Sequence, residues 1–129
     1  MKVKNIKSIN TTALAYLGDA VYEQAVREHL ILGGLQDVNK LHKNAVKFVK
    51  ASAQANIVKS VLPELTEEEE RLVKRARNKK PVTKAKNADP LDYRWATAFE
   101  AFIGYLHLAE DVERMDWIIG RSIEIVEGK

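Results

Sequence analysis

The sequence contains no cysteine among its 129 residues. A disulfide framework, a thiolate nucleophile and a zinc site with cysteine ligands are therefore excluded. No run approaches the roughly 18 uncharged apolar residues that a membrane span needs. The N-terminal segment is basic, but the polar residues 10–12 interrupt it before a signal-like apolar run can form. We therefore expect a cytoplasmic protein without a membrane partner.

Strand patterns are missing as well. No run of valine, isoleucine and threonine alternates with polar residues as a half-buried strand would. Instead, apolar residues recur at helical spacing along most of the chain. The length and a hydrophobic fraction of 46% suffice for one domain with a real core. The sequence predicts an all-α fold, with residues 1–129 forming a single domain.

Polar caps and helix breakers divide this helical pattern into segments. Gly33-Gly34 and Pro63 act as breakers, and residues 79–89 lack periodicity and are expected to form a loop. The first predicted helix runs from caps at residues 10–12 to about His29, and the second pattern runs from Asp37 to Pro63 with a break near Ser52. The next helix begins at the capping box of Thr66 and Glu69 and ends at about Asn78. The last two run from Asp89-Pro90 to about Ala109 and onward from Asp111.

Two long apolar stretches each contain a single charge. Residues 13–22 contain Asp19, and residues 95–106 contain Glu100. An ionised carboxylate inside a core costs several kcal/mol, in order of magnitude, unless a partner compensates it. A glycine stands close to each acid, although glycine within a helix costs about 1 kcal/mol relative to alanine. Close approach of two helices would explain both glycines.

These features indicate a divalent metal held jointly by the two acids, because two like charges brought together require a cation. Carboxylate oxygens are the ligands that Mg²⁺ prefers. Other interpretations stay open from the residues alone. Gly18-Asp19 could mark a helix boundary with Asp19 as the N-cap, and Glu100 could form a buried ion pair with Arg94 or Arg121.

A basic segment lies between the two acidic stretches. Residues 74–86 hold seven lysines and arginines and no acid, whereas the net charge of the whole chain is only +3. Such a local excess of positive charge suits a polyanion such as nucleic acid. A solvated loop is the alternative interpretation.

The two acidic stretches resemble motifs of the ribonuclease III family. Residues 15–21, Ala-Tyr-Leu-Gly-Asp-Ala-Val, resemble the signature helix of that family. Residues 97–104, Thr-Ala-Phe-Glu-Ala-Phe-Ile-Gly, resemble its second acidic motif. Residues 75–78, the basic loop and residues 93–100 resemble in particular a small bacterial subgroup without a separate double-stranded-RNA-binding domain.

The resemblance implies the helical fold of the family's catalytic domain and a homodimer. It implies Mg²⁺-dependent hydrolysis of double-stranded RNA that leaves 5′-phosphate and 3′-hydroxyl ends. It also implies maturation of the precursor of large-subunit (23S) ribosomal RNA, with Asp19 and Glu100 as the metal ligands and catalytic groups. A non-catalytic helical module that binds RNA or the ribosome is the alternative, and it leaves both acids unexplained.

The chain departs from full-length members of that family at two positions. They carry an acid where Ala15 stands and an aspartate where Thr97 stands. Thr97 lies one turn before Glu100, so its hydroxyl could hold a water molecule in the site without adding charge. Glu23, four residues after Asp19, could support the site or be a surface residue. We therefore expect one firmly bound metal.

Duplex RNA would be recognised through its phosphates, its shape and its 2′-hydroxyl groups, because an A-form helix hides its base edges in a deep, narrow groove. Binding by so small a protein should be weak, so a structured substrate or a partner such as a ribosomal protein is expected to help. The candidate phosphate contacts are Arg75, Arg77, Lys79, Lys80, Lys84 and Lys86.

Overall fold

The computed structural model describes residues 5–81 and 89–129 and contains only helices and irregular connections within these ranges. No helix of the described chain is long and apolar enough to cross a bilayer. Short 3₁₀ turns lie at Ile6–Ser8 and Leu62–Glu64. The six α-helices of the described residues are α1 (Thr11–Leu32), α2 (Val38–Val49), α3 (Ala51–Val61), α4 (Glu67–Asn78), α5 (Pro90–Leu108) and α6 (Val112–Glu127).

The all-α prediction is confirmed, and most helix ends lie close to the predicted caps. The side chain of Asn10 accepts a hydrogen bond from the backbone N–H of Thr12 and begins α1. Thr66 and Glu69 form the full capping box at the start of α4. Two boundaries differ from prediction. Helix α1 continues past His29 for almost another turn, and the break between α2 and α3 falls at Lys50, before the predicted position.

Helix α5 is the centre of the fold. It packs mainly against α1, α3 and α4, and this is why its apolar residues cover more than one side. Phe99, Phe102 and Ile103 are completely buried. The ring of Tyr22 on α1 meets the ring of Phe99 edge-on, with their centroids 4.9 Å apart. A charged residue on α5 is therefore surrounded by neighbouring helices unless it lies at an opening between them.

Helices α1 and α5 cross at the two glycines. A Cβ atom on Gly18 would lie 1.7 Å from the backbone oxygen of Glu100, and one on Gly104 would lie 2.0 Å from the backbone oxygen of Leu14. Both distances are far below van der Waals contact, so only glycine permits this approach. The predicted close packing of the two helices is confirmed.

The predicted loop at residues 79–89 lies only partly within the described chain. Lys79, Lys80 and Pro81 follow α4 without regular structure, and Asp89 caps α5 through the backbone N–H groups of Leu91 and Asp92. Residues 82–88 lie outside the described residues, and with them the candidate RNA contacts Lys84 and Lys86.

Candidate active site

The crossing of α1 and α5 brings the side chains of Asp19 and Glu100 together. Gly18 is in contact with the backbone of Glu100, so the residue that follows this glycine lies beside the second acid. The two carboxyl groups are close enough to share a hydrogen bond. Asp19 is exposed and Glu100 is half-buried. A solvent ion can therefore reach the pair.

No positively charged side chain of the described chain compensates this pair of acids, and the pKa of Glu100 is raised as a result. Burial, the charge of Asp19 and the hydrogen bond with Asp19 raise the pKa of Glu100 to about 8, and the charge of Glu23 adds to the rise. The nearby amide of Gln54 acts in the opposite direction and lowers this pKa. At neutral pH Glu100 therefore holds a proton next to Asp19, and a cation would take the place of that proton.

The alternative interpretations of the two acids are excluded by the geometry. Helix α1 runs without interruption through Gly18, so Asp19 is not an N-cap. No ion pair to Glu100 occurs within residues 5–81 and 89–129. Arg121 instead approaches the carboxylates of Glu64, at 3.5 Å, and Glu124, at 3.6 Å.

The donor set fits a hard divalent cation. Two facing carboxylates are what Mg²⁺ uses in proteins, where its remaining positions are filled by water and substrate phosphate. Within the described chain no group of three or more histidines and acids is placed to hold a metal, so this pair offers such an ion two charged groups. Gln54 is buried on α3, and its Oε1 has no hydrogen-bond partner in the described chain.

The known proteins that resemble this chain belong to one family. The Ribonuclease III domain family matches residues 12–111. This chain belongs to the ribonuclease III family. It is 49% identical to the Mini-ribonuclease 3 of Streptococcus pneumoniae, over 96% of this chain and 98% of that protein. It is 52% identical to the Mini-ribonuclease 3 of Brevibacillus brevis, over 93% of this chain and 90% of that protein.

A solved structure has the same fold. A crystal structure of a protein from Fusobacterium nucleatum is 32% identical to this chain and superposes with a TM-score of 0.83, covering 95% of this chain and 98% of that one. As a member of the ribonuclease III family, the chain is a metal-dependent endoribonuclease. The predicted recognition, fold and enzyme class are thus confirmed.

The two positions where this ribonuclease III domain lacks an acid have different surroundings. Ala15 is buried. Thr97 is half-buried, and its hydroxyl donates a hydrogen bond to the backbone oxygen of Tyr93 at 2.9 Å. The Thr97 oxygen can therefore accept a hydrogen bond in the site but has no proton left to donate. Glu23 is half-buried, and its charge contributes to the raised pKa of Glu100. A carboxylate oxygen of Glu23 also lies 3.7 Å from a guanidinium nitrogen of Arg27.

A positively charged cleft adjoins the active site of this ribonuclease III domain. It has a volume of about 80 Å³ and lies between the start of α1, the end of α4 and the first turns of α5. Lys79, Lys80 and Arg94 line it together with Thr97. No acidic side chain lines the cleft within the described part of the chain. Two of the predicted phosphate contacts thus share a cleft with Thr97, which lies one turn before Glu100 on α5.

Lys79 and the other two predicted contacts within the described chain are engaged with the protein. The Nζ of Lys79 donates a hydrogen bond to Oδ1 of Asn10 at 2.5 Å. Arg75 donates a hydrogen bond to the backbone oxygen of Lys7 at 3.0 Å. The guanidinium carbon of Arg77 lies 4.9 Å from the ring centroid of Trp95. All three cations remain at or near the surface, so each can still add to the local positive potential.

Two residues of the site were not predicted from the sequence as site residues. Arg94 was considered only as a partner of Glu100, whereas it lines the basic cleft. Gln54 was not considered, although it stands between two alanines on α3 and is 2% exposed. A polar residue at such a position was the available signal.

Proposed function

We propose that this endoribonuclease cleaves double-stranded RNA with Mg²⁺, leaving 5′-phosphate and 3′-hydroxyl ends, and matures the precursor of 23S ribosomal RNA in the cytoplasm. Residues 1–129 act as a single endonuclease domain. The observation that carries the proposal is the meeting of Asp19 and Glu100 at the crossing of α1 and α5. The names of the bacterial relatives support the reaction class.

The chemistry is divided between the metal and the chain. A bound divalent cation lowers the pKa of water and neutralises charge on the scissile phosphate. Asp19 and Glu100 would hold the cation, and Glu100 would release its proton to solvent as the cation bound. The hydroxyl oxygen of Thr97 accepts a hydrogen bond from water in the site. No histidine is required for the reaction.

Duplex RNA is the substrate that suits the surroundings of the site. Lys79, Lys80 and Arg94 provide positive charge at the surface. Positive charge suits contacts to phosphates, and an A-form helix is recognised through its phosphates because its base edges are hidden. An RNA strand whose scissile phosphate lies at Asp19 and Glu100 would continue over this cleft. Arg75, Arg77, Lys84 and Lys86 are further candidates for its neighbouring phosphates.

A homodimer is proposed because two active sites are needed to cut both strands of a duplex. Exposed apolar side chains support it. Tyr16 lies one turn before Asp19 and is 83% exposed, and Leu32 at the end of α1 is 86% exposed. Side chains of this kind are enriched in interfaces between protein subunits. A ribosomal protein is proposed to help present the precursor RNA, since the basic surface of one subunit is small.

The test of the function is cleavage of a long RNA duplex by the purified protein with Mg²⁺, with EDTA, and with the Asp19→Asn variant. We expect cleavage only by the wild type with Mg²⁺, while the variant stays folded and still binds the duplex. Binding without cleavage, on both a plain duplex and a folded precursor of ribosomal RNA, would favour a non-catalytic RNA-binding module instead.

The contribution of the basic cleft is tested by the double variant Lys79→Gln/Lys80→Gln. Each lost phosphate contact reduces the release of counterions, so the logarithm of RNA affinity should depend less steeply on the logarithm of salt concentration, by about 1 to 2 units of slope. The variant Lys43→Gln/Lys47→Gln, which removes the same charge from α2, is the control. Equal slopes for both double variants would remove the cleft from the proposed RNA surface.

A further inference from the structure

The cations around α4 fall into two groups according to the partners that hold them. The first turn of α4 contains four glutamates, and each lies within ion-pair distance of a cation. The pairs are Glu67 with Arg71, Glu68 with Lys7, Glu69 with Arg114, and Glu70 with Lys74. The acids compensate these four cations, which therefore add little to the attraction of a polyanion.

The cations at the end of α4 and just beyond it have neutral partners instead. Arg75 donates to the backbone oxygen of Lys7 at 3.0 Å, and Arg77 donates to the amide side chain of the next residue at 2.9 Å. Lys79 donates to Oδ1 of Asn10 at 2.5 Å. None of these three cations forms an ion pair within residues 5–81 and 89–129. A neutral acceptor orients a cation without cancelling its charge.

The amide oxygen of Asn10 accepts two hydrogen bonds. One comes from the backbone N–H of Thr12 at 2.7 Å and caps α1, and the other comes from Lys79. A carbonyl oxygen has two lone pairs and can accept both. The capping bond fixes this oxygen to the start of α1, the helix that carries Asp19. The ammonium group of Lys79 is thereby attached to a fixed point on a helix of the active site.

Lys79 lies where two openings on the basic surface meet. It lines the cleft that contains Thr97, and it also lines a wider groove of about 680 Å³ between the start of α1 and the end of α4. No acidic side chain lines either opening within the described ranges. A lysine has a flexible stem and loses conformational freedom when a phosphate fixes it, so a lysine that is already held loses less on binding.

We propose that Asn10 is a positioning residue for RNA binding. Its neutral amide holds the ammonium group of Lys79 between the cleft and the groove, fully charged, before the RNA arrives. The inference rests on the proposed function, since it takes the phosphates of duplex RNA as the ligand of Lys79. It extends the machinery for RNA binding from the cations themselves to an uncharged residue at the start of α1.

The variant Asn10→Gly tests the inference, because glycine is tolerated at an N-cap with little loss of stability and has no side-chain acceptor. Affinity for an RNA duplex, measured with EDTA so that the RNA stays intact, should fall by about threefold to tenfold. The dependence of the logarithm of affinity on the logarithm of salt concentration should keep its wild-type slope, because Lys79 keeps its charge. Circular dichroism verifies that the variant is folded.

A double-mutant cycle separates positioning from a general structural effect. If Asn10 acts through Lys79, Asn10→Gly should change the affinity of the Lys79→Gln variant little. Independent, additive losses would overturn the inference. The variant Asn10→Asp keeps an acceptor and a cap but adds a negative charge beside Lys79, so it should lower the salt slope by about 1 unit. A wild-type affinity and slope for Asn10→Asp would contradict the importance of a neutral partner.

Asn44→Ala is the matched control. Lys47 donates to Oδ1 of Asn44 at 3.5 Å on α2, so this variant removes the same kind of pair from another part of the surface. We expect RNA affinity close to the wild type. Wild-type affinity for Asn10→Gly, or equal losses in Asn10→Gly and Asn44→Ala, would overturn the positioning role and leave the proposed function intact. A wild type that neither binds nor cleaves duplex RNA would overturn both.

Discussion

Replacing Gly18 by alanine is expected to lower the free energy of unfolding by about 4 kcal/mol or more, which is exceptional for a single methyl group. The added Cβ would lie 1.7 Å from the backbone oxygen of Glu100. Both atoms belong to rigid helices in the largest interface of the fold, so no side chain can turn aside to relieve the overlap. Helices α1 and α5 must separate, and the packing around Tyr22 and Phe99 is lost with them.

Gly120→Ala provides the control for the loss of a helical glycine. Gly120 lies inside α6, and an added Cβ would meet nothing within 4 Å. Alanine should therefore stabilise the protein by up to about 1 kcal/mol through helix propensity. Urea and thermal denaturation should show a melting temperature more than about 10 °C below the wild type for Gly18→Ala, and at or above it for Gly120→Ala. A wild-type melting temperature for Gly18→Ala would contradict the crossing.

This crossing was predictable from the sequence because it rests on local signals. A glycine within a helix and a lone acid within an apolar stretch each cost free energy. Both occur together at Gly18-Asp19 and again at Glu100 and Gly104, and a close crossing of two helices with the acids side by side explains both. Helix caps are local in the same way. Thr66 and Glu69 are three residues apart, and the capping box needs nothing from the rest of the fold.

The parts of the site that escaped prediction depend on contacts between distant residues. Gln54 reaches Glu100 because α3 packs against α5, and nothing near Gln54 in the sequence specifies that neighbour. Arg94 and Arg121 were equally plausible partners for Glu100 by composition. Their helices instead direct them to the basic cleft and to Glu64, respectively. Periodicity assigns a residue to a face of its helix, but tertiary packing decides what that face meets.

Replacing Glu100 by glutamine is expected to stabilise the metal-free protein at alkaline pH, although the variant should lose catalysis. In the folded wild type the pKa of Glu100 is raised to about 8, mainly by burial and by the charge of Asp19. In the unfolded chain the group titrates near pH 4.3, in approximate terms. Between these values the folded state holds one proton more than the unfolded state, so stability is highest at low pH. It falls by about 1.4 kcal/mol per pH unit as pH rises through this window.

Glutamine keeps the shape of the side chain and removes this titration. Between pH 5 and pH 8.5, with EDTA present, the free energy of unfolding of Glu100→Gln should therefore rise relative to the wild type by about 4 kcal/mol. Urea denaturation at the two pH values measures the difference. Glu113→Gln, at an exposed position on α6, is the control for loss of one carboxyl group. Parallel pH profiles for wild type and Glu100→Gln would show that the two acids do not repel each other in the fold.

Adding Mg²⁺ should reverse the order of stability. A ligand that binds only the folded state stabilises it according to its concentration and affinity. The wild type at pH 8.5 should therefore regain stability with Mg²⁺, because the cation would neutralise the repulsion between the ionised Asp19 and Glu100. The glutamine variant has one carboxylate in place of two and should gain much less. The repulsion that weakens the metal-free fold is thus the same interaction that makes the site bind a cation, so a loss of metal binding and a gain of stability should appear together in one variant.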